Sequence, residues 1–506
     1  MAVVFISARP PSSPPPSFRE GITVVSAFEG YAFDAGMRVG DSLEAVDDVP
    51  VKGRSVDQVR DLLRGPPNTQ VKVRFTRAGL PGPTQQELLL TRRLVRVPDV
   101  KLTSFLGPLR DGIGYIQLSG FSQNAPAEFR FALELLRLHA PQGLQGLILD
   151  LRNNPGGLLT SAVDVASMLV PADSAIVSAK GRAFPPVAYS SSLAPVRDPA
   201  TLPLAVLVNE NTASAAEIVS GAVQDLDSGV IVGEDRTYGK GLVQNVEPLP
   251  FKTALKYTVA KYYTPSGRCI QSVRYSSPPP AGGGVMLGTE EDGAGKTKDS
   301  LQKRRIGLGR EKGYLANDIP ESERQTFYTT HGRVVRDGGG VEADLKVAAP
   351  QASVLEVSLQ QQGVFFDFAN EWSSKHTYTP GAGVQEGRPL VTDATYQEFV
   401  DYVGRKEKEG SVRYDVLFNG ALEPLRTALD ATEYKKAGKG LDALKAAVRE
   451  EVSREFNTHK AQIKEEVEQA ILARYQPESL LRRLALEGDP QVKVAVEAVK
   501  EGGREG

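Results

Sequence analysis

The sequence predicts an α/β protein of more than one domain: a small β-rich module, an α/β core and a helical C-terminal extension. Three observations carry this reading. Apolar, β-branched runs at 147–149, 204–208 and 230–232 each lie beside a turn and a helix-period stripe, the pattern of buried strands joined by helices. Residues 21–98 show short alternating runs separated by turn residues instead. Residues 390–500 read as helical throughout. A length of 506 residues fits about three domains at ~150 residues each.

In chain order, residues 2–6 form an apolar run too short for the core of a signal peptide, and a proline-rich stretch follows at 10–16. No apolar run of ~18 residues occurs, so no transmembrane helix is expected. In the β-rich module, Val24-Val25, Val71-Val73-Phe75 and 88–90 are strand-like. Ser55-Val56-Asp57-Gln58 is a capping box that opens a short helix with Val59, Leu62 and Leu63 inward. Ala35-Gly36-Met37-Arg38-Val39-Gly40-Asp41 resembles the turn that marks PDZ domains. Such domains bind a C-terminal peptide as an added strand and hold its carboxylate on backbone N–H groups. The carboxylate loop is expected before the strand near residues 3–6. Two readings therefore stand, a module that captures peptide tails and one that only folds.

From Val100 the chain becomes α/β. Ile113-Gly114-Tyr115-Ile116 is a strand and Gly120-Phe121 a turn, after which Phe129, Ala132, Leu133 and Leu136 make a helical stripe. The strand at 147–149 ends in Asn153-Asn154-Pro155-Gly156-Gly157, a tight backbone cup that reads either as an anion-binding nest or as an ordinary strand-to-helix turn. A helix resumes at Leu158. The strand at 204–208 leads through a polar turn, Asn209-Glu210-Asn211-Thr212, into a helix with Ile218, Val219, Ala222 and Val223 on one face. Ser214 falls at that junction, where backbone N–H groups are still unpaired. The strand at 230–232 ends in Gly233 to Gly241, with Lys240 between two glycines. Residues 255–263 alternate and are expected to complete the core sheet.

Residues 277–312 are rich in Pro and Gly, then charged, and read as a disordered insertion. The glycines of Asp337-Gly338-Gly339-Gly340-Val341 are read as turn-makers. Residues 364–368 with Trp372 begin an aromatic helix of core or interface type. Leu441, Leu444, Val448 and Val452 form one later stripe, and Ile463, Val467 and Ile471 another.

A net charge of −2 shows no basic excess for nucleic acid and no sign imbalance for a membrane surface. The single cysteine, Cys269, excludes an intramolecular disulfide and any multi-cysteine metal site. A serine nucleophile needs an adjacent base. None of the four histidines (His139, His331, His376, His459) lies in a glycine-framed turn near Ser214, and there is no GxSxG elbow. Lys240 is the better candidate. Flanked by Gly239 and Gly241, it is expected in an apolar pocket that lowers its pKa, with Gln244 four residues on to orient the amine. The stretch GEDRTYGKG is not a phosphate loop, because five residues separate Gly233 and Gly239 and no Ser/Thr follows Lys240.

The segments TASAAEIVSGAVQD, GVIVGE, YGKGLVQ and, upstream, LILDLRNNPGGLL resemble the catalytic core of the carboxyl-terminal processing (tail-specific) serine peptidases, Ser-Lys enzymes with an attached PDZ domain. The resemblance spans most of residues 20–500. It implies a crotonase-like ββα core, Ser214 as nucleophile, Lys240 as general base, Gln244 holding the lysine, and an oxyanion hole from the backbone N–H groups of Ala215, Gly156 and Gly157. Two departures are visible: Ala216 stands where the family often has a second serine, and the Ser214–Lys240 spacing of 26 is one longer than usual. The organisation expected is 1–20 as an incomplete, Pro-rich N-terminus, 21–98 PDZ-like, 99–350 protease core and 351–506 helical extension. The resemblance further implies protein substrates with free C-termini, an extracytoplasmic or lumenal compartment, no metal or organic cofactor, and assembly through the C-terminal helices. The competing reading is a PDZ-bearing scaffold with a dead core.

Overall fold

The computed structural model describes residues 3–7, 22–27, 29–79, 82–182, 184–191, 193, 195, 201–251, 253–275, 316–319, 321–378, 390–414, 416–432 and 434–502. The insertion expected at 277–312 lies outside them. The chain divides into two compact units, one from 1–97 with 350–487 and one from 98–349 with 488–506.

In the first unit a six-stranded antiparallel sheet runs Val3–Ser7, Ile22–Ala27, Ser42–Val46, Gln70–Arg77, Thr84–Thr91, with Val49–Pro50 on the side of Ser42–Val46. Its core is Ile22, Val24, Val71, Val73 and Phe75, the inward positions of period-2 strands. The helix Val56–Leu63 is closed by the capping box: Ser55 Oγ accepts from Gln58 N–H at 3.2 Å, and Gln58 Oε1 accepts from Ser55 N–H at 2.9 Å. The turn at 35–41 is fixed by buried Asp41, which accepts two bonds of 2.7 Å from the Arg77 guanidinium and one of 2.7 Å from Arg38 N–H. Such a carboxylate can be buried because its oxygens are satisfied by charge-assisted donors.

The helices of this unit pack around aromatic rings. Phe399 stacks on Phe365 at 5.2 Å and meets Phe368 edge-on at 5.1 Å, so Val364–Ser373 is a core helix. Ile463, Val467 and Ile471 are buried as the stripe requires, but Leu444 is half exposed between buried Leu441 and Val452. At about 100° per residue, Leu444 lies at the rim of the stripe rather than its centre.

In the second unit the central sheet orders its strands Leu345–Lys346, Val230–Gly233, Leu204–Leu207, Gly146–Asp150, Ile113–Leu118 and Val100–Leu106. All neighbours are parallel except the last pair. Helices Ala125–His139, Leu159–Leu169 and Ala215–Asp225 share one core with Leu147, Leu149, Leu204 and Val206. The alternate residues Ile148, Ala205 and Leu207 are equally buried on the other face. The helix Pro490–Gly502 packs on the same strands, and its Val499 lies against Gly146. Strands covered on both faces explain the continuous apolar runs.

Residues 255–263 do not complete this sheet. The strand Thr253–Tyr263 belongs to a separate antiparallel sheet, ordered Val187–Ser190, Ala175–Lys180, Thr253–Tyr263, Leu242–Leu249. Both edges of the central sheet are already occupied, and an alternating, largely solvated strand suits an antiparallel ribbon. Gly338 and Gly340 have φ of +67° and +80°, so they do act as turn-makers.

Candidate active site

The site forms where three strand ends of the central sheet meet their helices. Ser214 precedes the first turn of Ala215–Asp225 and carries φ +57°, ψ −115°, a conformation that costs a non-glycine residue energy. It is half buried. What holds it there is Glu217, which is fully buried and accepts four bonds. Its Oε2 takes Ser214 N–H at 2.8 Å and Lys240 N–H at 2.8 Å; its Oε1 takes Gly239 N–H at 2.7 Å and the Thr237 hydroxyl at 2.5 Å. The backbones of Ser214 and Lys240, 26 positions apart, are thus pinned to one oxygen atom. Burial pushes the Glu217 carboxyl above its usual range, while these four donors pull it down.

Glu217 was missing from the sequence reading. Its signal was present: Ser214-Ala215-Ala216-Glu217 is an S-x-x-E pattern before an apolar run. The three donors from residues 237–240 had no local signature.

The Asn153–Gly157 cup closes on the serine from the other side. A Cβ at Gly156 would lie 2.7 Å from Ala213 O, 2.8 Å from Ala215 N and 2.9 Å from Ser214 Cβ, and its φ is +94°. Only glycine allows this approach. Buried Asn154 shapes the cup, donating Nδ2–H to Leu118 O at 2.8 Å and accepting Gly156 N–H on Oδ1 at 2.8 Å. The Gly156 N–H is therefore committed within the cup and is not a free oxyanion donor in this structure. Among the described residues the N–H groups of Ala215 and Gly157 have no acceptor, and Ala215 N sits against the Gly156 turn.

Taken alone, this arrangement is a serine on a strained turn, the unengaged Ala215 N–H next to it, and a lysine-bearing glycine turn tied to the same carboxylate. Residues 112–275 match the model of peptidase family S41, 24–77 a PDZ domain, and 355–499 the C-terminal helical domain of a probable PDZ-protease. The S41 match holds both Ser214 and Lys240. It is 41% identical over 244 residues to the carboxyl-terminal-processing protease of Synechocystis sp., covering 48% of this chain and 54% of that one. It is 38% identical over 269 residues to the chloroplastic C-terminal processing peptidase of Tetradesmus obliquus, covering 51% and 56%. Among solved structures, the photosystem II D1 C-terminal processing protease is 37% identical over 50% of this chain and 66% of that chain, with a TM-score of 0.30. The chain thus spans about half the length of the curated relatives it matches.

Within the region of the S41 match, Lys240 and Gln244 are both exposed. The apolar pocket expected around the lysine is not formed, and no hydrogen bond joins the Lys240 ammonium to Ser214 Oγ or to the Gln244 side chain. The physical reason lies in the turn: Gly239 and Gly241 are held from behind, with Ser272 N–H donating to Gly239 O at 3.0 Å and Gly241 N–H to Gln271 Oε1 at 2.8 Å. Backbone position is fixed, and the four-carbon side chain is left to swing. Behind the cup, Asp150 binds Arg152 through Oδ1 and Oδ2 and accepts the Tyr115 hydroxyl at 2.7 Å. Arg152 reaches on to Asp489 at 2.5 Å. The two flanking carboxylates hold the Arg152 guanidinium well above its ordinary pKa, against the desolvation that lowers it. Among the described residues no His/Cys/Asp/Glu group could hold a metal ion, and no helix is long and apolar enough to cross a membrane.

Proposed function

We propose that this protein is a serine endopeptidase that cleaves polypeptides near their C-termini, with Ser214 as nucleophile and Lys240 as general base. The observation that carries the reading is the shared Glu217 oxygen, which fixes the two backbones no farther apart than two hydrogen bonds end to end. For reaction, the Lys240 side chain turns onto Ser214 Oγ and accepts its proton as the serine attacks the scissile carbonyl, with Gln244 steadying the amine. The proton then passes to the leaving amine. The oxyanion that forms is held by the N–H groups of Ala215 and Gly157, each such donor being worth about 3 kcal/mol. Water completes the second half of the reaction on the acyl-enzyme.

The PDZ module offers Val3–Ser7 as the edge strand of its sheet, the element to which an extended substrate tail adds. Relatives named as chloroplastic and bacterial processing proteases support a compartment outside the cytosol. The boundary between 98 and 99 and self-assembly through the C-terminal helices belong to this proposal; the limits expected at 1–20 and 21–98, and at 351–506, shift because Val3–Ser7 joins the PDZ sheet and Pro490–Gly502 packs with the α/β unit.

The exposed, unengaged Lys240 gives the scaffold reading its one supporting observation. A fluorophosphonate probe separates the two. An enzyme is labelled on Ser214 and loses the label in Ser214→Ala and Lys240→Ala, with the fold retained. A folded chain that no fluorophosphonate labels, and that leaves unstructured polypeptides intact, is a scaffold.

A further inference from the structure

We infer that the hairpin Leu242–Leu249/Thr253–Tyr263 is an arm that docks the protein on an anionic lipid surface through its apolar tip. The two strands pair over eight registers, from Leu242↔Lys261 to Leu249↔Thr253. Every described residue from Gln244 to Thr258 is exposed, so both faces of the ribbon stand in solvent. On one face lie Leu249, Leu255 and Tyr257; the other carries Val246, Pro248 and Ala254. At the apex Phe251 is 96% exposed.

Two costs meet at that phenylalanine, and nothing inside the fold offsets either. Its ring is left in water. Its φ is +62°, a left-handed conformation in which glycine or asparagine would be cheaper. An outlier of this kind points to a use outside the chain's own packing.

The composition selects the occupant. From Gln244 to Thr258 the chain has two lysines (252, 256) against one acidic residue, Glu247, with Tyr257 and Phe251 as its aromatic residues. An apolar tip, the amphipathic ring of exposed Tyr257 and a small excess of positive charge are what interfacial insertion into acidic headgroups requires. Apolar groups on both faces and at the apex also suit a medium that surrounds the tip better than a flat protein surface that covers one side. The edge strand is blunted against pairing with another chain: Pro248 has no N–H, and Val246 N–H is taken by the Asn245 side chain at 3.0 Å.

The test uses the full chain and does not depend on the peptidase reading. Co-sedimentation is measured with phosphatidylcholine vesicles containing about 30% phosphatidylglycerol, and with phosphatidylcholine alone. The expected result is binding to the anionic vesicles that weakens with salt and on pure phosphatidylcholine. Phe251→Asn, which suits the positive φ and removes the ring, should weaken binding roughly ten-fold or more, with an unchanged thermal unfolding curve. Lys256→Glu should lower the salt-sensitive part. Wild-type protein that stays in the supernatant with both vesicle types overturns the inference, as does a Phe251→Asn variant that binds equally well. Lipid-free self-association abolished by Phe251→Asn, without vesicle binding, would assign the arm to a second copy of the chain. A raised KM for polypeptides in that variant, again without vesicle binding, would assign it to substrate.

Discussion

At the scale of single residues, Glu217 does the work that the Ser214–Lys240 spacing obscures. A buried carboxylate with four donors is costly to ionise and costly to remove, because removal strands Ser214, Gly239 and Lys240 N–H groups away from water. Since burial raises its folded pKa, the native state keeps a proton that the unfolded chain has already released just above the ordinary glutamate range. Stability from this group is then greatest on the acid side and declines as pH rises through the raised value. Glu217→Gln cannot titrate. The wild-type-minus-variant difference in melting temperature should therefore shrink as pH rises through that window; a constant or growing difference would refute the direction. Lys240 gives a separate prediction. Arginine keeps the charge and cannot deprotonate near neutral pH, so Lys240→Arg and Lys240→Ala should each lose at least ~100-fold in kcat. Steady-state hydrolysis of an unstructured casein-like chain measures both, and an active arginine variant would remove the lysine from the chemistry.

At the scale of elements, the cup at Asn153–Gly157 joins strand, turn and serine through Asn154. Asn154→Ala leaves Leu118 O and Gly156 N–H unpaired in a buried site, a loss of roughly 2–4 kcal/mol in stability. It should also move Gly156 away from Ala215, so that kcat falls more than KM rises. A variant that melts lower but turns over normally would separate the cup from the oxyanion hole. The elements themselves were largely legible in the sequence. Strands buried on both faces read as unbroken apolar runs, and the helix stripe at Phe129, Ala132, Leu133 and Leu136 is buried as its period requires. Less legible was anything set by partners distant in sequence. The second sheet takes Thr253–Tyr263 because Ala175–Lys180 and Leu242–Leu249 receive it, and alternation alone cannot choose between sheets. Gly156 and Gly157 look equivalent as letters; a side chain two residues earlier makes one N–H spoken for and leaves the other available.

At the scale of the molecule, the chain's last helix belongs to the α/β unit rather than to the helices that precede it. Pro490–Gly502 buries Gln491, Val492, Ala495 and Val499. Asp489 and Gln491 tie it to Arg152, while Gln491 Nε2 donates to Val347 O at 3.0 Å. Two physical terms follow from deleting residues 489–506. The sheet face at Ile148, Ala205 and Leu207 gains water contact, at about 25 cal/mol for each Å² of apolar surface uncovered. Arg152 also loses one of its two carboxylate partners, though Asp150 remains to it. The first term is spread over a whole helix and dominates, since each large buried aliphatic side chain contributes about 1.5–3 kcal/mol. The truncated chain should therefore show a melting transition for the α/β unit lowered by more than 10 °C, by an order-of-magnitude conversion of several kcal/mol. Asp489→Asn, which spares the packing and removes the charge, should shift it by only a few degrees. Differential scanning calorimetry resolves the two units if they melt separately. A truncation that leaves the α/β transition in place would mean that the helix rests on the sheet without supporting it.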